Sequence, residues 1–201
     1  MSKNIWEKIK DNVRGVQGKF KRSYVPTTTP EEVALANQLK MTLPSTIATY
    51  IYVSGEWDTM ANRALSGSVI LSTDTPAEQN AVRHQAISSA YEAELFAMVD
   101  ALSAIDLVKR QTGHFVLVTG LTDFVRNYND FTLAQHFSEL PERPTSTDHL
   151  YHDFVQLAAT YQSLRVVAGS EKDKQQTNFV AQKLNRMLAG YRDSRGKKSC
   201  G

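Results

Sequence analysis

One cysteine in 201 residues, Cys200 beside the final Gly201, leaves no partner for an internal disulfide and no thiolate set for a zinc site. Long apolar runs are missing too. No stretch approaches the ~20 residues that cross a bilayer, and the opening MSKNIWEKIK lacks the apolar core of a secretory signal. The expectation is a soluble, cytoplasmic protein in reducing surroundings. The chain contains no G-x-x-x-x-G-K-[ST], no G-x-G-x-x-G and no G-x-S-x-G. It therefore offers neither a phosphate-cradling loop nor a nucleophile elbow. Internal repeats are absent as well.

A large net charge is also missing from the total, which is +2, but not from its parts. Residues 1–22 carry Lys3, Lys8, Lys10, Arg14, Lys19, Lys21 and Arg22 against Glu7 and Asp11, a net of +5. Residues 183–201 carry Lys183, Arg186, Arg192, Arg195, Lys197 and Lys198 against Asp193, again +5. With the whole at +2, the stretch between stands at −8. An acidic body with two basic ends bears on what the chain attracts. At 41% hydrophobic and 22% charged residues, the length suits one globular domain with tails.

Ile5, Ile9, Val13, Val16 and Phe20 recur at helical spacing among basic residues, which predicts a basic amphipathic helix over 1–22, weakened by Gly15 and Gly18. Residues 23–46 read as a linker, SYVPTTTP, followed by a short helix from Glu31 to Leu43. Thr29 suits its N-cap, Pro30 its first turn, and Pro44 stops it. From 47 to 191 the pattern is that of a folded domain. Ile47, Thr49, Ile51 and Val53 alternate with Tyr50 and Tyr52, a first strand. Glu56 to Ala64 reads as a polar turn, Leu65 to Ser72 as a second, antiparallel strand, and Val82 to Ile87 as a third. A long helix is expected from Ala90 to Lys109, with Leu95, Met98, Val99, Leu102 and Ile105 as its apolar stripe. His114 to Thr119, a short apolar run between Gly113 and Gly120, reads as a buried strand, and Leu164 to Ala168 as a fifth strand. Helices are expected at 123–128, 133–137, 147–161 and 175–188, and a basic tail at 192–201.

Three antiparallel strands, a crossover helix, and two more strands alternating with helices resemble the RNase H-like fold. The residues are similar to ribonuclease HI in particular. Val53-Ser54-Gly55 stands where that family has Asp-Gly, and Gly67-Ser68-Val69-Ile70-Leu71 follows at its spacing. Ala93-Glu94-Leu95-Phe96-Ala97-Met98 looks like its Glu-containing helix. Val116-Leu117-Val118-Thr119-Gly120, then Phe124-Val125-Arg126, resembles the fourth strand and the helix after it. His149-Leu150-Tyr151 opens the counterpart of a later helix, and Val167-Ala168-Gly169-Ser170 takes the place of a Val-Lys-Gly-His strand end. The resemblance covers roughly residues 47–190. It implies a mixed five-stranded sheet flanked by helices, and a site in which four carboxylates hold two divalent metals.

Carried over residue by residue, that site retains Glu94 alone. Ser54 and Gly120 stand in place of two aspartates, Asn178 near a third, and Ser170 in place of a histidine. A lone carboxylate does not hold Mg²⁺, which prefers an octahedral shell of anionic oxygens. The expectation is therefore a chain that is not an enzyme and uses no cofactor or metal. A displaced metal site built from Glu56, Asp58, Asp123, Glu171 and Asp173 at the strand ends is the alternative. His149, His152 and Asp153 share one helix but offer no third imidazole, and read as a surface face.

The function expected is a protein-interaction adaptor on an inactivated RNase H-like scaffold, of viral or phage character. The alternative is a non-catalytic nucleic-acid binder. Its contacts would lie in the basic ends, with Ile5, Trp6, Ile9, Val13, Lys19, Lys21 and Arg22 at one and Arg192, Arg195, Lys197 and Lys198 at the other. The N-terminal helix has three readings open to it: packing on its own domain, docking a partner protein, or touching an anionic membrane or nucleic acid. The tail reads as solvated, or as an arm that touches phosphate.

Overall fold

A computed structural model describes residues 29–41, 43–58, 63–84, 87, 89–169, 180 and 182. The basic helix expected over 1–22, the tail over 192–201, and Ser170 and Asn178 lie outside the described residues. Of the last expected helix only Val180 and Gln182 fall inside, both helical.

The first element is helix α1, Pro30–Lys40: the backbone carbonyl of Thr29 accepts from the amide of Val33 at 3.1 Å, and Pro30, which has no amide to satisfy, takes the first turn. Strands β1 (Ala48–Asp58), β2 (Arg63–Leu71) and β3 (Glu78–His84) form an antiparallel meander. Helices α2 (Ala90–Ala104) and α3 (Leu107–Thr112) lead to β4 (His114–Thr119), which pairs parallel to β1. Helices α4 (Thr122–Asn129), α5 (Thr132–Phe137) and α6 (Ser146–Ala158) precede β5 (Leu164–Ala168), parallel to β4. The sheet order is β3-β2-β1-β4-β5, the mixed five-stranded arrangement expected.

Both faces of the sheet are covered, because β1 alternates two apolar sets. Ile51 and Val53 join Leu117, α2 and α6 in one core. Tyr50 and Tyr52, with rings stacked at 6.3 Å, join Leu39 of α1, Leu65, Val69, Val118 and Val180 in the other.

Three expectations need correcting. The polar turn placed at 56–64 is mostly strand: the antiparallel ladder runs on through Trp57 opposite Ala64 and Asp58 opposite Arg63, since cross-strand pairing outweighs the polar composition. The third strand lies at Glu78–His84, earlier than 82–87. The helix expected from Ala90 to Lys109 breaks at Ile105 and Asp106. There Arg110 donates to the carbonyls of Ser103 (2.8 Å) and Ile105 (2.7 Å), and the Tyr161 hydroxyl to that of Leu102 (2.6 Å). These donors satisfy the end of α2, while Asp106 caps α3 by accepting from the amide of Val108 at 2.9 Å. No helix among the described residues is long and apolar enough to cross a membrane.

Candidate functional site

Parallel neighbours β1 and β4 point the same way, and their register sets Tyr52 beside Val118. Two residues further along each chain, Ser54 and Gly120 therefore stand at the same level, at the sheet end where an α/β fold takes its ligands. Helix α2 crosses this end at unusually close range. A Cβ on Gly55 would lie 2.3 Å from the amide nitrogen of Glu94 and 2.4 Å from the carbonyl oxygen of Ala90, so only glycine admits the helix backbone here.

That approach delivers the Glu94 side chain to the strand ends. Its Oε1 accepts from the Thr119 hydroxyl at 2.6 Å and from the Gly120 amide at 2.8 Å, and the carboxylate also accepts from the amide of Gly55. Thr119 is fully buried, and its Oγ1 accepts in turn from the Leu121 amide at 3.2 Å, fixing the turn into α4. Burial pushes the Glu94 carboxyl above its ordinary range, while the bonds from Thr119, Gly120 and Gly55 pull it back. Glu56, two residues past Ser54 on β1, is raised by burial and by the charge of Glu94. The arrangement thus holds one carboxyl with raised proton affinity beside a second, which suits proton exchange or a hydrogen bond to a ligand hydroxyl or amine.

The other expected positions distribute unevenly. Ser54 is buried on β1, on the face of Tyr50 and Tyr52 by strand alternation, beside Gly55 rather than against Glu94. Asp58 ends β1, and Asp123 in the first turn of α4 pairs with Arg126 at 3.0 Å on the open surface, where such a pair contributes little. Glu171 and Asp173 are not among the described residues. On α6, the ring Nδ1–H of His152 donates to the carbonyl of Phe137 at 2.9 Å, and burial raises Asp153 against the opposing effect of His152 and His149. Among the described residues no three His, Cys, Asp or Glu side chains come together in a way that could hold a metal ion. Of the carboxylates expected at the strand ends, Glu94 and Glu56 stand together among the described residues. The roles of Thr119 and of Gly55 as holders of Glu94 were missed in the sequence; the Thr-Gly step ending an apolar run was the signal available.

Because the folded Glu94 holds its proton more tightly than the ordinary value of 4.5, its contribution to stability is complete below that pH and is lost as pH rises through the raised value. Glu56 adds in the same direction. Glu94→Gln, a neutral group that still accepts from Thr119 and Gly120, is expected to flatten this loss and to be more stable than the parent at pH 7. Urea midpoints between pH 4 and 8 measure it; a variant less stable than the parent at pH 7 would contradict the assignment.

Compared with known proteins, the sequence matches no family model and no curated protein. Solved structures do match. The prototype foamy virus protease–reverse transcriptase superposes with a TM-score of 0.52 at 15% identity, over 70% of this chain and 21% of that one. The foamy viral protease–reverse transcriptase in complex with dsDNA gives 0.50 at 15%, over 69% and 94%. RNase H1 from Halobacterium salinarum NRC-1 gives 0.46 at 14%, over 69% and 98%. This chain thus spans about a fifth of the length of the first of these. The expectation of a chain that is not an enzyme is corrected here: the foamy virus structures it resembles in fold are enzymes by title, so its fold gives no ground for setting it apart from catalysis. With the sheet order β3-β2-β1-β4-β5 and α2 crossing the ends of β1 and β4, the fold is RNase H-like.

Proposed function

We propose that this chain binds duplex nucleic acid across the sheet end formed by β1, β4 and the start of α2. The observation that carries the reading is the seating of Glu94 against the ends of two parallel strands, by Thr119 and Gly120, in an RNase H-like fold. A structure of similar fold is a complex with dsDNA, which supports a duplex as the ligand class. The acidic body does not supply phosphate affinity, so the cations for it belong to the basic ends, among them Lys19, Lys21 and Arg22 and Arg192, Arg195, Lys197 and Lys198. The adaptor reading rested on lost catalysis, and no observation on the described residues favours a protein partner over nucleic acid.

The test is a titration of the full chain with labelled dsDNA and RNA–DNA hybrid at ~50 and ~200 mM salt. If about six phosphates are neutralised, affinity is expected to fall on the order of 10³-fold over that range. Replacing those seven cationic residues by Gln is expected to remove most of this salt dependence. No measurable binding of either duplex at ~50 mM salt would overturn the reading.

A further inference from the structure

Phosphate contacts hold a duplex in place without touching its bases, and the sheet end at Glu94 is poorly suited to phosphate. Its carboxyls, Glu94 and Glu56, lie close enough for the charge of one to act on the other, and both repel an anion. The part of a duplex that can face them is its groove side, the sugar and base edge. An aromatic side chain suits that surface. Of those around the start of α2, Tyr91 and Tyr151 have their hydroxyls bonded to each other, and Phe124 is buried with Phe154 edge-on to it. Trp57 is placed differently. It stands on β1 beside Glu56 and opposite Ala64, two residues past Gly55 and, by strand alternation, on the same face. Helix α2 begins over that face, with the Ala90 carbonyl against Gly55. It then runs back toward the start of β1, since Leu102 near its end accepts from Tyr161, whose ring meets Phe115 beside Thr49. Trp57, about 7 Å further along the strand than Gly55, therefore lies past the first residue of the helix, at the open rim of the site. Part of its ring packs on the core and part is open, and among the described residues its indole N–H has no hydrogen-bond acceptor.

Given the duplex-binding reading, on which this depends, we infer that Trp57 is the residue of this site that touches the bases. Its indole lies against the sugar and base edge of one nucleotide and gives its N–H to an acceptor there. The apolar body of the ring meets the sugar and its polar tip the base. In the minor groove every base pair offers such an acceptor, N3 of a purine or O2 of a pyrimidine. An N–H donor by itself does not tell these apart, so the contact carries no sequence preference. The work is divided between two parts of the chain. The cationic ends supply the affinity for phosphate, which salt weakens, and Trp57 supplies a share that salt leaves alone.

Intrinsic fluorescence of the full chain decides this. The sequence holds two tryptophans, Trp6 and Trp57, so in Trp6→Phe all tryptophan emission comes from Trp57. Unlabelled dsDNA at ~50 mM salt is expected to quench that emission, with saturation at the concentration where labelled dsDNA reaches its full anisotropy on the same chain. In the otherwise unchanged chain, Trp57→Phe keeps the apolar cover and loses the N–H, and affinity is expected to fall about three-fold. Trp57→Ala is expected to lower it about ten-fold. In both variants the slope of log affinity against log salt should stay that of the parent, because no phosphate contact has been removed. Should far-UV circular dichroism show the alanine variant unfolded, the emission and Trp57→Phe decide. A rise in anisotropy with Trp57 emission unchanged would overturn the assignment and leave duplex binding standing. A flatter salt slope in Trp57→Phe would overturn it too, by tracing the loss to displaced phosphate contacts. No rise in anisotropy at all would remove both.

Discussion

Gly55→Ala is expected to destabilise the fold by about 3 kcal/mol or more, the large end of what overpacking produces. The cause is the identity of the atoms in the way. The added methyl would sit 2.3 Å from the nitrogen of Glu94, 2.4 Å from the oxygen of Ala90 and 2.8 Å from the carbonyl carbon of Ala93. All three are helix backbone, so no side chain can swing aside, and α2 must lift from β1 as a unit. Lifting it would also draw Glu94 away from Thr119 and Gly120 and open a core that holds Leu95, Met98 and Leu102. Chemical denaturation gives the size of the effect. Its specificity is read in the amide of Gly120, whose protection from hydrogen exchange is expected to drop with that of α2. A variant within ~0.5 kcal/mol of the parent would mean that the close approach of helix and strand is wrong.

Phe154→Ala is expected to cost about 4 kcal/mol and to lower Tm by roughly 10 °C. Phe154 is fully buried on α6, and its ring stands edge-on to Phe124 at 4.8 Å and to Tyr128 at 5.6 Å, both on α4. Truncation leaves a cavity between two helices that are fixed elsewhere. Phe124 also stacks on Tyr151 at 6.0 Å, the Tyr151 and Tyr91 hydroxyls are bonded to each other, and Ser146 and Thr147 at the start of α6 both donate to Glu92 on α2. With the helices held at these points the site does not collapse easily, which places the cost toward the upper part of the range. Phe154→Leu, which keeps more of the volume, should recover at least half. A loss below ~1.5 kcal/mol for the alanine variant would show that α6 is not part of the cooperative core.

Some of this molecule was determined by sequence alone. His114–Thr119 and Leu164–Ala168 are strands at the expected bounds, five or six residues rich in Val and Leu, too short for a helix to bury well. Of the expected stripe, Leu95, Met98, Leu102 and Ile105 are buried while Val99 is only partly so, and α2 also buries Ala93, Phe96, Ala97 and Ala101 beyond that stripe. Other features were decided only when distant parts met. The helix from Ala90 stops at Ala104 because Arg110 and Tyr161 supply donors to its last carbonyls, and Tyr161 comes from beyond α6. Residues 56–58 and 63–64 became strand because each found a partner across the ladder, against their polar composition. Glu94 as a letter says only that a carboxyl is present. Its three donors and its raised proton affinity exist because Gly55 lets α2 touch β1 while β4 ends at Thr119 and Gly120. Local pattern records which face of an element is apolar; which groups are desolvated together depends on contacts between residues as far apart as 55 and 120, and these form only in the assembled fold.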